Sequence, residues 1–416
     1  MASTLRLRSR LRALHARRKA RRRPTGMQFV VADSIEALRP DHWDAVAKHG
    51  GFFLRREVLR VIETDGPENV RPVYSIIYQD GDPAAILAAQ RVEVAMAQIR
   101  SSDPAAKSGT KPRLLKRLLK PAAVVAAERL QQRMLVAGNL MSWGFHGIGF
   151  RPEREAAQLW PAVGEALYRI RRSDRLLGQT QLVIVKDLGM EQGHVEGLHQ
   201  LSYRPLETEP NMVLAIDPAW RSYEDYLQAL DAKYRRNAKD QLKKLASAGC
   251  SLETLTDLSG HAERLHELYL SVHQKASVRL VTLPASYLPE LARAVGGDFR
   301  CTVVRRGEEI LGFVTSIRDG DTAIAYYIGF DRQVASTAVP LYLRLLHSTI
   351  NDAISWGCRR LSLGRTALEP KAAMGAKPEP MNVWLRHRVP AMNWILRGVL
   401  TTVDHEEAPE RNPFKG

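Results

Sequence analysis

The sequence predicts a mixed α/β fold built twice in tandem, and two internal correspondences carry that reading. "FHGIGFRPEREAAQLWPAVGEALYRIRR" (145–172) and "YYIGFDRQVASTAVPLYLRLLHSTI" (326–350) each pass from Ile-Gly-Phe through a polar loop and a proline into an amphipathic helix, and Ile148 and Ile328 stand 180 residues apart. Upstream of each lies a second matching piece. "VYSIIYQDGDPAAILAAQRVE" (73–93) and "CTVVRRGEEILGFVTSIRDG" (301–320) both show two apolar runs around a tight polar turn, the mark of a β-hairpin.

Taken in order, each copy reads as helix, hairpin, strand, helix, strand. After the two long helices come the apolar runs "QLVIVKDL" and "RLSLGRT", which predict the last strand of each copy. Helices alternating with strands place the chain in the α/β class. The copies join near 205–215. A linking helix is expected after Ser222, with Asp225 three residues on in capping position, ending at Gly249 and burying Tyr223, Tyr226, Leu227, Leu230, Tyr234, Leu242 and Leu245. The spacing differs in one place: Gly81 to Gly149 is 68 residues and Gly307 to Gly329 only 22. The surplus includes "KPRLLKRLLKPAAVVAAERLQQRM", a basic amphipathic helix that either packs on its own domain or lies on an anionic membrane.

Charge follows the same division. The net +16 resolves into +10 from residues 1–25, +7 from residues 98–133, and a body that is close to neutral. Attraction to polyanions such as RNA, or to a membrane surface, is therefore expected of a tail and an insert and not of the folded body. The Arg-rich tail lacks the apolar segment of an export signal; it reads as a disordered extension or as similar to a mitochondrial presequence. No run reaches the ~18 apolar residues of a membrane span. Three widely separated cysteines, Cys250, Cys301 and Cys358, argue against a zinc site and a disulfide framework, and a reducing, cytoplasmic setting fits them. The expected division is a basic disordered tail (1–26), a first domain (27–205) with its insert near 98–133, a second domain (206–403) and a C-terminal tail (404–416).

A hairpin, a strand ending in glycine, a helix and a further strand, in tandem, resembles the FemAB-like branch of the GNAT acyltransferase superfamily, from about residue 27 to 403. The most telling stretches are "KYRRNAKDQLKKLASAGC" (233–250), similar to the basic helix that opens the family's second domain, and "YYIGFDRQVASTAVPLYLRLLHSTINDAISWGCRRLSLGRTALEPKAAMGAKPEPM" (326–381). The latter ends in the family's glycine, lysine, glycine pattern, here Gly364, Lys371 and Gly375. "DRQVASTAVP" has no glycine, whereas the superfamily's usual phosphate loop has several; the FemAB-like branch often lacks that loop. The resemblance implies two GNAT-like domains with the acyl donor held by the second. It also implies an N-acyltransferase that moves an acyl group from acyl-CoA, with acetyl-CoA the expected co-substrate, directly to an amine acceptor, and needs no metal. Aminoacyl-tRNA is the alternative donor, and a non-catalytic scaffold on RNA or a membrane surface is the alternative outside enzymology.

Chemistry narrows the residues. Helix-start amides suit a pyrophosphate, which points to Ser336, Thr337, Ala338 and Val339, with Tyr342 just inside the helix and Gly329 letting a backbone or a pantetheine arm approach the strand end. Acyl transfer to an amine needs a base, oxyanion donors and a proton for the leaving thiolate. Tyr326 or Tyr327 is the candidate acid, strand alternation allowing one of them to face the cleft, unless both are core. Glu369, in the loop expected at 364–371 and held extended by Pro370, is the candidate base. Lys233, Arg236, Arg365 and Lys371 are the candidate substrate-binding cations.

Overall fold

The structure is a computed structural model and describes residues 23–95, 131–189, 195–276, 279–389, 392–393, 409 and 411–415. Most of the Arg-rich tail and of the basic insert lies outside those residues.

Among the described residues thirteen strands form one sheet. The first half contributes β1 (Gln28–Ala32), β2 (Val70–Gln79), β3 (Asp82–Ala95), β4 (Gln131–Ala137), β5 (Ile148–Phe150) and β6 (Leu182–Gly189). Then come β7 (Arg204–Ala215), β8 (Cys250–Leu255), β9 (Phe299–Arg306), β10 (Glu309–Asp319), β11 (Thr322–Phe330), β12 (Arg360–Ser362) and β13 (Lys377–His387). The helices are α1 (Pro40–Ala47), α2 (Arg56–Asp65), α3 (Ala156–Ser173), α4 (Glu196–Gln200), α5 (Tyr223–Ala229), α6 (Ala232–Ser247), α7 (Ala262–His273), α8 (Tyr287–Val295), α9 (Leu341–Ser355) and α10 (Leu368–Ala373).

The spatial order β1-β2-β3-β4-β6-β13-β7-β12-β11-β10-β9-β8 is a palindrome: pairing β1 with β8, β2 with β9, and so on to β7 with β13, maps the order onto its reverse. This is the expected duplication, now with a feature the repeat did not reveal. Each half is completed by the other's last strand. β7 leaves the first half and pairs with β12, while β13 returns to pair with β6 and runs antiparallel to β7 along the middle. One continuous ladder thus joins the halves, and no backbone edge is exposed between them.

Both hairpins form where expected. The β2–β3 turn places Asp80 and Gly81 at φ of 55° and 90°, the left-handed geometry a two-residue hairpin needs. The Ser222–Asp225 capping box is present, but the linking helix is two helices, α5 and α6, broken at Leu230–Asp231 where Leu230 bridges to Phe414. The described part of the C-terminal segment is therefore docked, with the Phe414 ring 5.7 Å from that of Trp220.

In the second half β11 is one continuous strand; in the first its counterpart is split. β4 and β5 both pair with β3, and residues 138–147 leave the sheet between them. That excursion reaches into the other half and builds the site. A core that mixes both halves supports it, with Trp43, Phe52 and Phe53 packed among Tyr269, Tyr287, Phe313 and Tyr326.

Candidate functional site

β11 and β12 run parallel over only three residue pairs, from Thr322–Arg360 to Ile324–Ser362, and then part. The wedge between them is the candidate site. Its walls carry Tyr326 and Tyr327 on one side and Ser362, Leu363 and Gly364 on the other, with α9 beginning beyond the end of β11.

The first-half excursion roofs this wedge. Met141 O accepts a hydrogen bond from Tyr327 Oη at 3.0 Å, and Trp143 Nε1 donates to Ser362 Oγ at 3.1 Å. Gly364, at φ 79°, lies under the Trp143 ring, where a Cβ would stand 3.0 Å from the indole. Asn211 on β7 closes the floor, its Oδ1 accepting from Ser362 Oγ and from Gly364 N at 3.0 and 3.1 Å.

The two tyrosines do not take opposite faces. The β10 ladder slips between Val314 and Ser316, a bulge that breaks alternation, and the two rings lie 4.6 Å apart in one aromatic cluster. Thr315 anchors the bulge, its hydroxyl accepting from Tyr327 N at 2.9 Å. Tyr326 is 2% exposed and shares a 2.8 Å hydrogen bond with Tyr287 Oη; Tyr327 is half-buried, against the roof. Burial holds both phenols protonated, well above their ordinary range, with Tyr287 and Tyr269 the next contributors for Tyr326 and Tyr327 respectively.

At the head of α9, sequence expectation and structure differ in detail. The helix begins at Leu341, and Ser336–Val339 form a closed turn in which Ser336 N donates to Val339 O at 3.1 Å and Val339 N to Ser336 Oγ at 3.1 Å. Thr337 and Ala338 are exposed, and Tyr342 is half-buried on α9 with its phenol raised to about 12 by burial. Gly329 is needed for packing: a Cβ there would come within 2.6 Å of the Leu268–Tyr269 main chain of α7.

Beyond the wedge, Pro370 does not hold an extended loop. Leu368–Ala373 is helical, and Glu369 is exposed and bonds Arg411 Nε at 3.0 Å. Lys371 on the same helix is 3% exposed, and burial lowers its ammonium to about 7 against a weak opposing pull from Glu209. No carboxylate among the described residues pairs with it. Arg365 is committed to Asp187 of the first half. On α6, Lys233 and Arg236 are exposed and unpaired, whereas Lys239 holds Glu224 at 3.0 Å.

Sequence reasoning missed a buried ionic cluster at the first half's own strand opening. Asp187, wholly buried and at φ 57°, contacts Lys186 Nζ and Arg365 and accepts from Gly144 N at 3.0 Å, while Lys186 Nζ donates to Ser142 O at 2.6 Å. Burial opposes the carboxylate's charge, and Lys186 and Arg365 outweigh it, holding Asp187 below the usual carboxylate range. Arg344 was also missed: 2% exposed on the first turn of α9, it donates to Tyr223 Oη (3.2 Å) and to no other side chain among the described residues, and Tyr223 Oη in turn bonds His347 Nδ1 at 2.8 Å. The adjacent charged pair in "VKDLG" was the one available signal, a Lys-Asp within an otherwise apolar strand.

Residues 232–372 match the family described as Acetyltransferase (GNAT) domain. Among solved structures, FemX aligns over 86% of this chain and 97% of its own at 10% identity and TM-score 0.52. A tandem GNAT protein from the clavulanic acid biosynthesis pathway aligns over 88% and 99% at 13% identity and TM-score 0.49. The C-terminal domain of a putative lysylphosphatidylglycerol synthetase from Agrobacterium fabrum aligns over 86% and 94% at 11% identity and TM-score 0.47. No curated protein matches the chain by sequence.

Proposed function

We propose, from the premise that this chain is a tandem GNAT-fold protein whose residues 232–372 are an acetyltransferase (GNAT) domain, that it transfers an acyl group from a thioester donor, acyl-CoA, to an amine at the β11–β12 wedge. The observation that carries the reading is the wedge itself. Past Ile324 the β11 main chain has no strand partner among the described residues on its β12 side, so an amide-bearing arm can lie along it as an added strand and bring its thioester to the tyrosines. The roof formed by Met141 and Trp143 keeps water, which competes with the amine for the acyl group, away from that point.

The residues then divide the work. As the amine's bond to the acyl carbon forms and the C–S bond breaks, Tyr327 gives up its bond to Met141 O and protonates the leaving thiolate, and the tyrosinate takes back the proton the amine sheds; Tyr326, held by buried Tyr287, positions it. Lys371 receives an anionic group. An ammonium disfavoured by burial gains its proton when a negative charge arrives, so it stabilises the developing oxyanion, or a carboxylate on the acceptor, more strongly than an exposed lysine would. Thr337, Ala338 and the first-turn amides of α9, with Arg344 four residues into that turn, receive the donor's phosphates. Lys233 and Arg236 attract an anionic acceptor.

A second reading has its own support. The Ser336 amide donates to Val339 O and the Val339 amide to Ser336 Oγ, so neither is offered outward, and the loop holds no glycine. That favours a donor gripped along its backbone by cations, aminoacyl-tRNA. Titration calorimetry of the full chain with acetyl-CoA and with aminoacyl-tRNA separates the donors, and a labelled-acyl transfer assay with Tyr327→Phe tests the site. Acetyl-CoA binding with a roughly hundredfold slower Y327F variant is expected. Binding of neither donor ends the catalytic reading.

A further inference from the structure

At the far end of β6 from the Lys186–Asp187 cluster, about 15 Å away along the strand, the surface holds a cavity of about 430 Å³ lined by Tyr168, Arg171, Arg172, Arg175 and Arg388, among others. The arginines come from two sources, the last turn of α3 with the short turn after it, and the chain just past β13. None of them has a carboxylate partner among the described residues. Asp174, in the midst of the α3 group, turns inward to Arg91 at 2.9 Å. Burial lowers the Arg171 guanidinium, and repulsion from Arg386 and Arg388 lowers it further. The cavity is thus a concentration of uncompensated positive charge. A second feature points to a ligand: Thr180 in its wall is 2% exposed, and its hydroxyl has no hydrogen-bond partner.

The apolar residues around it are equally unusual. Leu176 is 98% exposed and Leu177 67%, in the loop directly after Arg175, and the neighbouring Tyr168, Val389 and Met392 are 37–40% exposed. Of the large hydrophobic side chains exposed among the described residues, only Val30 and Val31 lie elsewhere. Arginines around a hollow roomy enough for phosphate headgroups, with two leucines standing free beside them, suit one kind of partner.

We propose that this face docks on an anionic phospholipid surface, with headgroup phosphates entering the arginine-lined cavity and Leu176 and Leu177 entering the acyl-chain boundary. Charge complementarity supplies the first contact, each arginine near an anionic leaflet adding to the attraction. Insertion of leucine removes apolar surface from water. A polyanion in solution, such as a nucleic acid, satisfies the arginines but gives the leucines nothing. A second copy of the chain satisfies the leucines but opposes arginine to arginine. The residues that form it lie outside the Arg-rich stretch 1–25, so it assigns membrane contact to the folded body, and Arg133, the last residue of the basic insert, adjoins it by donating to Leu177 O.

The test is co-sedimentation of the full chain with sucrose-loaded phosphatidylcholine vesicles, pure or containing a third phosphatidylglycerol. Binding to the mixed vesicles is expected, with a roughly tenfold loss in the L176S/L177S variant, whose charge is unchanged, and a similar loss in R172Q/R175Q. Because residues 1–25 also attract anionic lipid, the leucine variant is decisive. Its side chains are exposed, so the fold survives the change. A Leu177→Trp variant should show a blue-shifted emission on the mixed vesicles only. The proposal is overturned if both double variants sediment like the unaltered chain, or if the L177W emission does not move. It is equally overturned if the cavity binds inorganic pyrophosphate while the leucine variant partitions normally, or if the leucines govern only self-association in gel filtration.

Discussion

The two halves open their sheets at equivalent places and fill the openings with opposite chemistry. In the first half, where β6 runs on past its pairing with β4, the opening is closed by a wholly buried Asp187 between the part-buried Lys186 and Arg365. In the second, where β12 leaves β11, it is lined by neutral groups, Ser362, Asn211 and two tyrosines, under an indole lent by the first half. Ionic partners sealed from water separate at large cost, whereas neutral hydrogen bonds exchange for water or ligand at about 1 kcal/mol each. The comparison teaches that the first opening is a joint and the second is a site. Arg365 makes the point sharply: it extends from the second half's strand end but spends its charge on the first half's carboxylate.

The largest expected effect follows from breaking the joint. Asp187→Ala leaves the part-buried Lys186 and Arg365 without their carboxylate and should cost about 3 kcal/mol in urea unfolding, with the two halves loosening together. A loss below about 1 kcal/mol would mean that water already reaches the cluster, and the contrast between joint and site would fail. Relief of the left-handed backbone at φ 57° offsets little, since alanine tolerates that region no better than aspartate.

Next in size is Lys371, and here the expected sign is a gain. Its native value of about 7 lies below the ordinary lysine value of 10.5, so the unfolded chain holds more protons across that interval. Stability therefore rises with pH from about 7 to 10.5, and the full penalty for burying the amine is present below 7. Lys371→Met should accordingly stabilise the protein by a few kcal/mol at acid pH, an advantage that fades toward pH 10 or so, while acyl transfer falls roughly hundredfold. Melting curves at several pH values read the first; a transfer assay reads the second. Destabilisation at acid pH would show that the amine has a partner and belongs to the architecture instead.

Trp143 comes third. Trp143→Ala removes part of the roof and the bond to Ser362, for about 2 kcal/mol, and Trp143→Phe, which keeps most of the apolar contact, about 1 kcal/mol. If the indole shields the wedge, both variants should raise hydrolysis of a bound thioester relative to transfer. Equal ratios in variant and unaltered chain would reduce Trp143 to packing.

Much of this arrangement was legible in the sequence, and the limits have physical causes. Ile148-Gly149-Phe150 and Ile328-Gly329-Phe330 do end equivalent strands, and both hairpins keep their turns, because local turn chemistry and a period of two are written in neighbouring residues. The exchange of β7 and β13 was not legible, since which strand completes which half depends on pairing between residues far apart in the chain, such as Arg360 with Ala215 and His387 with Leu182. Nor was the mutual contact of Tyr326 and Tyr327, which a bulge on the partner strand produces. Gly329 was noticed for the right reason, close approach, although the approaching group is a helix backbone. Lys371 stood out through the resemblance to the family's glycine, lysine, glycine pattern; its burial, which gives it chemistry, is a tertiary fact.

The smallest expected effect separates position in the chain from position in space. Glu369 is a carboxylate in the second half's loop region, the property that makes it a candidate base, but a base must come within about 3 Å of the proton it takes, or one water further. On α10 it shares a helix with Lys371 and sits two residues away, so the two side chains point to different faces. Lys371 is the buried one; Glu369 is exposed and held by Arg411. An exposed pair of this kind contributes from nothing to about 1 kcal/mol, and water screens its charge from the interior. Glu369→Gln should therefore shift stability by less than about 0.5 kcal/mol and leave the transfer rate within about threefold, with an unchanged pH profile. If instead the acidic limb of that profile disappears, the helix must turn Glu369 toward the amine when substrate is bound, and the wedge would then gain a base supplied from the side that now faces solvent.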